Sequence, residues 1–310
     1  MIIIEIDFSS RRELDTSNVL DKMNKLQNKS ILIVGGDSSI GVSLVAAFEV
    51  DNKQIWRTTR HRNKVNDRCL FLDLSDDMNY WLLPPVKTVI FCAAVTSQEY
   101  CRVNPEFSWR VNVSGTVTLA TRMIEAGIFV IFLSSNAVFN GEISLAKSTD
   151  SVTPQTEYGR QKVATENQLL KFEDKVAIVR FSKVITPEMS LIDGWIQNLN
   201  YGSVIHPFCD MVIAPVPIKF AVLVLREVAV RQVRGIIQVS TKRDITYADL
   251  AHYIALKLGS DQKLVQPISY RNIGLTYAQR NTSLDSSRLS ELGMLLPDIW
   301  KGVDETFRLR

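Results

Sequence analysis

Tyr158 and Lys162 are the two side chains of this sequence whose types and spacing best suit proton transfer. Residues four apart share one face of a helix. A phenol titrates near pH ~10 in water, and a nearby ammonium lowers its pKa by stabilising the phenolate. The phenol can then give its proton to a carbonyl oxygen while hydride reaches the carbonyl carbon. Ser135 ends an apolar stretch, and we predict that its hydroxyl holds the substrate oxygen beside Tyr158.

A glycine-rich segment, GGDSSIG at residues 35–41, follows an apolar run and precedes a helical pattern. Backbone N–H groups in such a turn can approach a pyrophosphate at the positive end of a helix. Ser38 stands where a middle glycine is usual, and a turn with positive φ would be strained there. The alternative is a plain turn between strand and helix. Its place in the first strand–helix unit favours a phosphate loop, with contacts from Gly35, Asp37, Ser38, Ser39, Ile40 and Gly41.

The end of the second predicted strand, Arg57-Thr58-Thr59-Arg60, indicates which dinucleotide would be bound. Folds that bind NAD usually carry Asp or Glu here, which accepts a hydrogen bond from the ribose 2′-OH. Arg57 or Arg60 would instead pair with the 2′-phosphate of NADP, with Thr58 beside them. We therefore favour NADP over NAD. The alternative is a solvated basic loop, because the basic run continues to Lys64.

Asp73 and Leu74 end the third predicted strand and have two interpretations. The Asp73 carboxylate could accept a hydrogen bond from the adenine amino group. It could equally cap a helix, because Ser75 and two further acidic residues follow. Both interpretations stay open from the residues alone.

Apolar runs alternate with helical patterns between residues 31 and 182. Runs without polar alternation are typical of strands buried on both faces. Their alternation with helices predicts right-handed βαβ units, and hence an α/β fold with a Rossmann-type doubly wound parallel sheet. The strands are predicted at residues 31–36, 53–59, 69–74, 87–95, 128–135 and 175–182, and the main helices at 39–50, 105–127 and 158–172.

The chain divides into three predicted parts. Residues 30–182 form the dinucleotide-binding domain. In residues 183–310, four prolines interrupt the alternation of strands and helices. We predict that this part forms a smaller mixed cap that binds substrate, and that some of its segments pack back against the first domain. We predict a strand at 235–240 and helices at 246–258 and near the C-terminus. Residues 1–29 form an extension without an assigned role, in which IIIEIDF is predicted as a strand and NVLDKMNKLQ as a short helix. We expect the extension to add an edge strand or an oligomer contact rather than a site.

Bulk properties exclude several classes of protein. The 310 residues carry a net charge of +3, which gives no argument for nucleic acid or an anionic membrane as partner. No apolar run reaches the roughly 18 residues that span a bilayer. The start lacks a basic region before its short apolar run, so we expect a cytoplasmic protein. No pair among the four cysteines has zinc-ligand spacing, which indicates reduced thiols and no metal site.

Five stretches of the sequence form a recognisable set: VGGDSSIG, LDL, FCAAVTSQEYCRVNPEFSWRVNVSGTVTLA, FLSSNAVFNG and YGRQKVATE. Together they resemble the extended short-chain dehydrogenase/reductase family, and within it the branch of sugar-nucleotide enzymes similar to dTDP-4-dehydrorhamnose reductase. The resemblance covers about residues 31–307, with weaker matches between Asp210 and Pro215 and near the end.

The resemblance implies a role for each matching residue. Tyr158 would be the general acid, Lys162 its pKa partner and a contact of the nicotinamide ribose, and Ser135 the group that orients the substrate. Asn112 matches the helix asparagine that supports the lysine. The segment that borders the cofactor would be Cys92, Ala93 and Ala94.

These roles imply an NADP-dependent oxidoreductase that reduces a keto group of a nucleotide-linked sugar. A homodimer is common where this resemblance holds. An epimerase of the same fold is a close alternative. A dehydratase ranks lower, because Ser135-Asn136 lacks the acidic residues that the reaction needs, and Asn136 also departs from the aspartate common in the reductases. A third alternative is an NADP-binding subunit without turnover, as in the regulatory subunit of methionine adenosyltransferase.

Overall fold

We describe the fold from a computed structural model of the chain. The structure describes residues 30–50, 54–274 and 277–309. The strand and helix predicted within residues 1–29 lie outside the described residues. No helix in the described ranges is long and apolar enough to cross a membrane.

Strands and helices alternate along the described chain. The strands are β1 (Ile31–Val34), β2 (Ile55–Thr59), β3 (Cys69–Phe71), β4 (Thr88–Phe91), β5 (Phe129–Ser135), β6 (Val176–Phe181), β7 (Lys183–Ile185), β8 (Val212–Ile213), β9 (Pro215–Pro217), β10 (Gly235–Val239) and β11 (Ile245–Thr246). The helices are α1 (Ser39–Val50), α2 (Gln98–Val103), α3 (Pro105–Trp109), α4 (Thr116–Glu125), α5 (Glu157–Leu169), α6 (Ser190–Asn200), α7 (Ile218–Arg231), α8 (Tyr247–Leu258), α9 (Ser287–Glu291) and α10 (Ile299–Phe307).

Seven of the described strands form one parallel sheet in the order β10-β6-β5-β4-β1-β2-β3. The order reverses between β1 and β4, which is the switch point of a doubly wound sheet. The predicted Rossmann-type α/β fold is therefore confirmed. Ligands of such sheets bind outside the carboxyl ends of the strands at the switch point, where the predicted glycine loop follows β1.

Alternate residues of the central strands pack into two separate cores, one on each face of the sheet. Ile31 and Ile33 of β1 lie in the core formed with α1 and α7. Leu32 and Val34 lie in the core formed with α4. Because side chains alternate between the faces of a strand, an unbroken apolar run is what two covered faces require.

The helix predicted over 105–127 is interrupted. The wider turn of a π-helix at Arg110–Gly115 separates α3 from α4. Thr116 Oγ1 donates to the carbonyl of Val111, five residues earlier, at 2.8 Å. Side-chain bonds of this kind compete with the regular helix ladder. Gly127, with φ +80°, follows the end of α4 as predicted.

The fourth strand is shorter than predicted and ends at Phe91. Beyond it, the amides of Cys92 and Ala93 both donate to the same carbonyl, that of Val34, at 2.8 and 2.9 Å. The chain therefore leaves the ladder and turns across the end of β1. This bend places residues 92–94 beside the glycine loop.

The C-terminal part contains two helices that the periodicity did not indicate, α6 and α7. The first belongs to a separate apolar cluster with α8 and α10, centred on Ile192, Trp195 and Ile254. By contrast, α7 packs in the same core as β1, and β10 pairs with β6. Residues after 182 thus supply both this separate cluster and the last strand of the main sheet, and the substrate-binding role of the cap stays a prediction.

Candidate active site

Two adjoining cavities open at the carboxyl edge of the sheet. The loop cavity, of about 720 Å³, is bounded by the glycine loop and the ends of β2, β3 and β4. The tyrosine cavity, of about 390 Å³, contains Ser135, Tyr158 and Lys162. The residues that line both are Ile40, Cys92, Ala94, Thr96, Lys183 and Val184. The two predicted sites are therefore neighbours in space.

The glycine loop places its backbone close to the segment after β4. Gly35 has φ +85°, and a Cβ there would lie 2.6 Å from the amide nitrogen of Ala93. Ser38 Oγ donates to the carbonyl of Gly35 at 2.8 Å and accepts from the amide of Gly41 at 3.1 Å. Ser38 does not adopt a positive φ, so the strain expected at this position is absent. The serine stabilises the turn with its own side chain.

Most of the predicted cofactor contacts line the loop cavity. They are Gly35, Asp37, Ser38, Ser39, Ile40, Thr58, Arg60, Asp73, Leu74, Cys92, Ala93 and Ala94. Gly41 lies behind this surface, where a Cβ would approach the Gly35 carbonyl to 2.3 Å. Arg57 is also outside the lining and packs its side chain next to Gly36 instead. Arg60 is therefore the better placed of the two arginines.

Asp73 lines the loop cavity and closes a turn rather than a helix. Its Oδ1 accepts from the amide of Ser75 at 2.9 Å and from the Ser75 hydroxyl at 2.8 Å. The next helical turn, Met78–Tyr80, is capped by Asp77 instead. The helix-cap interpretation of Asp73 is therefore wrong, and its contact with an adenine amino group stays a prediction.

Cys92 lies at the boundary of both cavities rather than only in the core. Burial raises the pKa of its thiol to about 12, so Cys92 is a neutral wall of the cavities at physiological pH.

Tyr158 and Lys162 project from α5 toward the end of β5, where Ser135 lies. Thr156 caps the helix by accepting from the amide of Gly159 at 3.1 Å. Gly159 permits close packing, since a Cβ there would lie 2.2 Å from the carbonyl oxygen of Ala137. The start of α5 is therefore held against the turn that follows Ser135.

Lys162 is buried and held at one end of the tyrosine cavity. Its Nζ donates to the carbonyl of Leu133 at 2.8 Å. The same atom lies 4.5 Å from the ring centroid of Phe132 and 5.6 Å from that of Tyr158. The ammonium therefore faces the ring of Tyr158 within the same cavity.

Burial shifts the pKa values of Tyr158 and Lys162 away from their ordinary values, in opposite directions. Burial raises the pKa of Tyr158, the charge of Cys101 adds to this, and a hydrogen bond with Ser135 opposes it. Burial lowers the pKa of Lys162 to about 8, against the charge of Glu166. Near neutral pH, Tyr158 is then a protonated phenol beside a largely charged ammonium. This arrangement can donate a proton to a carbonyl oxygen.

Among the described residues, the side chain of Asn112 has no hydrogen bond to Lys162, and its implied support of the lysine stays a prediction. Its amide group exchanges two hydrogen bonds with the backbone of Val95, at 2.8 and 2.9 Å. A third bond goes to Gln161 Oε1 at 2.7 Å. Asn112 therefore ties the segment after β4 to α5, one residue before the lysine.

Two residues of the site were not predicted from the sequence. Lys183 lines both cavities and has no ion-pair or hydrogen-bond partner among the described residues. Its position directly after β6, at a carboxyl end of the sheet, is a signal that could have indicated it. Gln279 accepts from Asn136 Nδ2 at 2.8 Å and donates to the Phe139 carbonyl at 2.9 Å. No pattern in the sequence around Gln279 indicates these contacts, because Asn136 and Phe139 lie in a distant segment of the chain.

Comparison with known proteins gives one family. The family model described as RmlD substrate binding domain matches residues 29–307. The chain is 26% identical to "Probable low-salt glycan biosynthesis reductase Agl14" of Haloferax volcanii, over 77% of this chain and 81% of that protein. It is 22% identical to methionine adenosyltransferase 2 subunit beta of Bos taurus, over 87% of this chain and 84% of that protein.

Solved structures with the same fold include two bacterial dTDP-4-dehydrorhamnose reductases. The one from Clostridium acetobutylicum has a TM-score of 0.80 and 20% identity, covering 90% of this chain and 98% of its own. The one from Bacillus anthracis, solved in complex with NADP, has a TM-score of 0.78 and 17% identity, with coverages of 90% and 98%. At these identities the likeness concerns the fold.

Proposed function

The chain belongs to the RmlD substrate binding domain family, and we propose that it is an NADP-dependent oxidoreductase that reduces a keto group of a nucleotide-linked sugar. The observation that carries the proposal is the shared cavity of Ser135, Tyr158 and Lys162, which adjoins the cavity of the glycine loop. One cavity would hold the sugar and the other the cofactor, with the reacting atoms where they meet.

The loop cavity fits a dinucleotide. Gly35 packs against Ala93, and Gly41 packs against the carbonyl of Gly35, with no room for a side chain at either position. This packing holds the start of α1 beside the cavity, where backbone amides can bind a pyrophosphate. Arg60 lines the end of the cavity near β2, where an adenine ribose phosphate would be bound. Lys183 adds a positive charge to the lining of the same cavity. The NADP complex of the Bacillus anthracis reductase supports this choice of cofactor.

NADPH, when bound, would supply hydride to the carbonyl carbon of the sugar. Tyr158 Oη gives its proton to the carbonyl oxygen, and the charge of Lys162 stabilises the phenolate that remains. Ser135 Oγ accepts from the amide of Ala137 at 3.1 Å and has a longer contact of 3.3 Å to Asn136 Oδ1. Such a long bond is weak, so the hydroxyl can turn to donate to the substrate oxygen.

Replacement of Tyr158 by phenylalanine tests the proposal. The wild type and Tyr158→Phe should be assayed for NADPH oxidation with 4-keto sugars linked to dTDP and UDP. We expect turnover to fall by ~10²–10⁴ in the variant, because only the proton donor is lost. Binding of NADPH should not change. Tyr201 is 85% exposed and lines neither cavity, so Tyr201→Phe is the matched control, and its turnover should stay close to that of the wild type.

A second function has support of its own, a dinucleotide-binding regulatory subunit without turnover. The methionine adenosyltransferase beta subunits favour it, because the match extends over most of their length. If the wild type and Tyr158→Phe are equally inactive across the panel and still bind NADPH, this function replaces the reductase. An epimerase would convert its substrate without net oxidation of NADPH, so product analysis distinguishes that alternative.

A further inference from the structure

A carboxylate reaches the end of β2 from the glycine loop. Asp37 Oδ2 accepts a short hydrogen bond from Thr59 Oγ1, on the last residue of β2. Asp37 Oδ1 lies 3.0 Å from Lys64 Nζ. The carboxylate also lines the loop cavity, next to Arg60. The sequence of β2 contains no acidic residue at its end, but the fold supplies one there from a different segment.

This carboxylate is charged at physiological pH. Burial would raise its pKa, but hydrogen bonds from Thr59 and Lys64, together with the charges of Lys64 and His61, lower the pKa below its ordinary value. Of the titratable groups around it, Arg60 and His61 also line the cavity, and Lys64 is paired with Asp37. A ligand at the end of β2 would therefore meet the Asp37 carboxylate together with the cations Arg60 and Lys64.

We propose that Asp37 and Lys64 together set the preference of the loop cavity between NADPH and NADH. Asp37 takes the place of the acidic residue that NAD-binding folds carry at the end of β2, and it accepts a hydrogen bond from the ribose 2′-OH. Lys64 offsets its charge and, with Arg60, attracts a 2′-phosphate. The opposing contributions narrow the difference between the two affinities, so both dinucleotides bind. This inference rests on the proposed function in one respect, namely that the loop cavity binds a nicotinamide dinucleotide.

Two substitutions of opposite expected effect test the pair. Asp37→Asn keeps the shape of the side chain but removes the charge that repels a 2′-phosphate and the best acceptor for a 2′-OH. We expect the ratio of the NADH Kd to the NADPH Kd to rise at least ~10-fold, as removal of one like charge a few ångströms from a phosphate implies. Lys64→Met should lower the same ratio. Both Kd values are measured by fluorescence titration of the full chain without any sugar.

Asp73→Asn is the matched control. Asp73 is a second carboxylate of the same cavity, so its loss changes the cavity charge equally, but its side chain bonds to Ser75 rather than to Thr59 or Lys64. We expect the ratio to stay as in the wild type, even if both affinities change together. Thermal unfolding of each variant establishes that it is folded.

Each outcome decides the inference. A ratio that rises in Asp37→Asn and falls in Lys64→Met, with Asp73→Asn unchanged, supports it. A ratio that is equal in all four proteins, or that changes as much in Asp73→Asn as in Asp37→Asn, overturns it. Because no turnover is measured, a failed reductase assay and an unchanged ratio are separate results. A wild type that binds neither dinucleotide overturns both the inference and the proposed function.

Discussion

The chemistry at the scale of single residues depends on whether Lys162 carries its charge. Burial lowers the pKa of Lys162 to about 8 from an ordinary value of 10.5. Below the lowered pKa the ammonium is present and stabilises the phenolate that Tyr158 becomes after proton donation. As the pH rises through that value, the ammonium is lost. Negative phosphates of a bound dinucleotide raise the pKa of a nearby cation, so the midpoint in the complex lies at about 8 or above.

We therefore predict that the rate of sugar reduction at saturating NADPH decreases with rising pH, by about tenfold per unit above the midpoint. The measurement is a pH–rate profile from pH 6 to ~10.5, the upper limit being the ordinary lysine pKa. An arginine stays charged over this whole range, so the profile of Lys162→Arg should be flat wherever that variant is active. A wild-type rate that increases through the same range would contradict the prediction, because a phenolate base would then be limiting.

Single residues also show what the sequence can and cannot predict about a site. The Tyr158–Lys162 spacing and the strand-end position of Ser135 are local features, and all three side chains meet in one cavity. Arg57 and Arg60 have the same side chain at neighbouring positions, so the sequence does not tell which of them faces the cofactor. The structure does, because only Arg60 of the two lines the loop cavity. The contact of Asp37 with Thr59 joins residues that are 22 apart. A pattern within either segment gives no sign of it.

At the scale of elements, a buried ion pair connects α5 to the sheet. Arg180 of β6 donates to both carboxylate oxygens of Glu166, at 2.6 and 3.0 Å. Both side chains are almost fully buried, with 3% and 2% exposed. Glu166 lies one turn after Lys162, so the pair holds the helix that carries the proposed proton donor. Gln238 of β10 adds a longer contact of 3.4 Å to the arginine.

We predict that Glu166→Gln lowers the free energy of unfolding by ~3–5 kcal/mol, because it leaves the Arg180 charge buried without its partner. Urea denaturation of the variant gives this value. The double variant Glu166→Leu/Arg180→Met should lose less than Glu166→Gln alone, since no unpaired charge remains. Exposed ion pairs contribute less than ~1 kcal/mol to the free energy of unfolding. A decrease as small as that in Glu166→Gln would contradict the prediction.

The elements themselves were predictable to different degrees. The buried strands were found because two covered faces leave an unbroken apolar run. The break between α3 and α4 was not, since it depends on Thr116 reaching back to Val111 and on Asn112 binding the distant backbone of Val95. The helices α6 and α7 were missed where prolines interrupt the flanking sequence. Their position follows from packing on the cap core and on the sheet, respectively.

At the scale of the whole molecule, one core crosses the predicted boundary at residue 182. Ile33 of β1, Val179 of β6 and Leu225 of α7 belong to the same buried cluster. The loop cavity crosses the boundary as well, because Lys183 and Thr186 line it together with the glycine loop. Residues 30–182 and 183–310 remain a predicted division by role. Their shared core indicates that the two parts unfold together.

The last prediction concerns the effect of cofactor binding on the unfolding of this shared core. A ligand that binds only the folded state stabilises it, by ~2.7 kcal/mol at a concentration 100-fold above its Kd. For a chain of this length that corresponds to a rise in Tm of about 4 °C. We predict one unfolding transition in calorimetry, which NADPH moves upward as a whole, because the cavity and the core both join the two parts. Gly35→Val, which fills the space beside Ala93, should bind NADPH poorly and show no such rise. Two separate transitions, of which NADPH moves only one, would mean that the cap folds independently of the nucleotide-binding sheet.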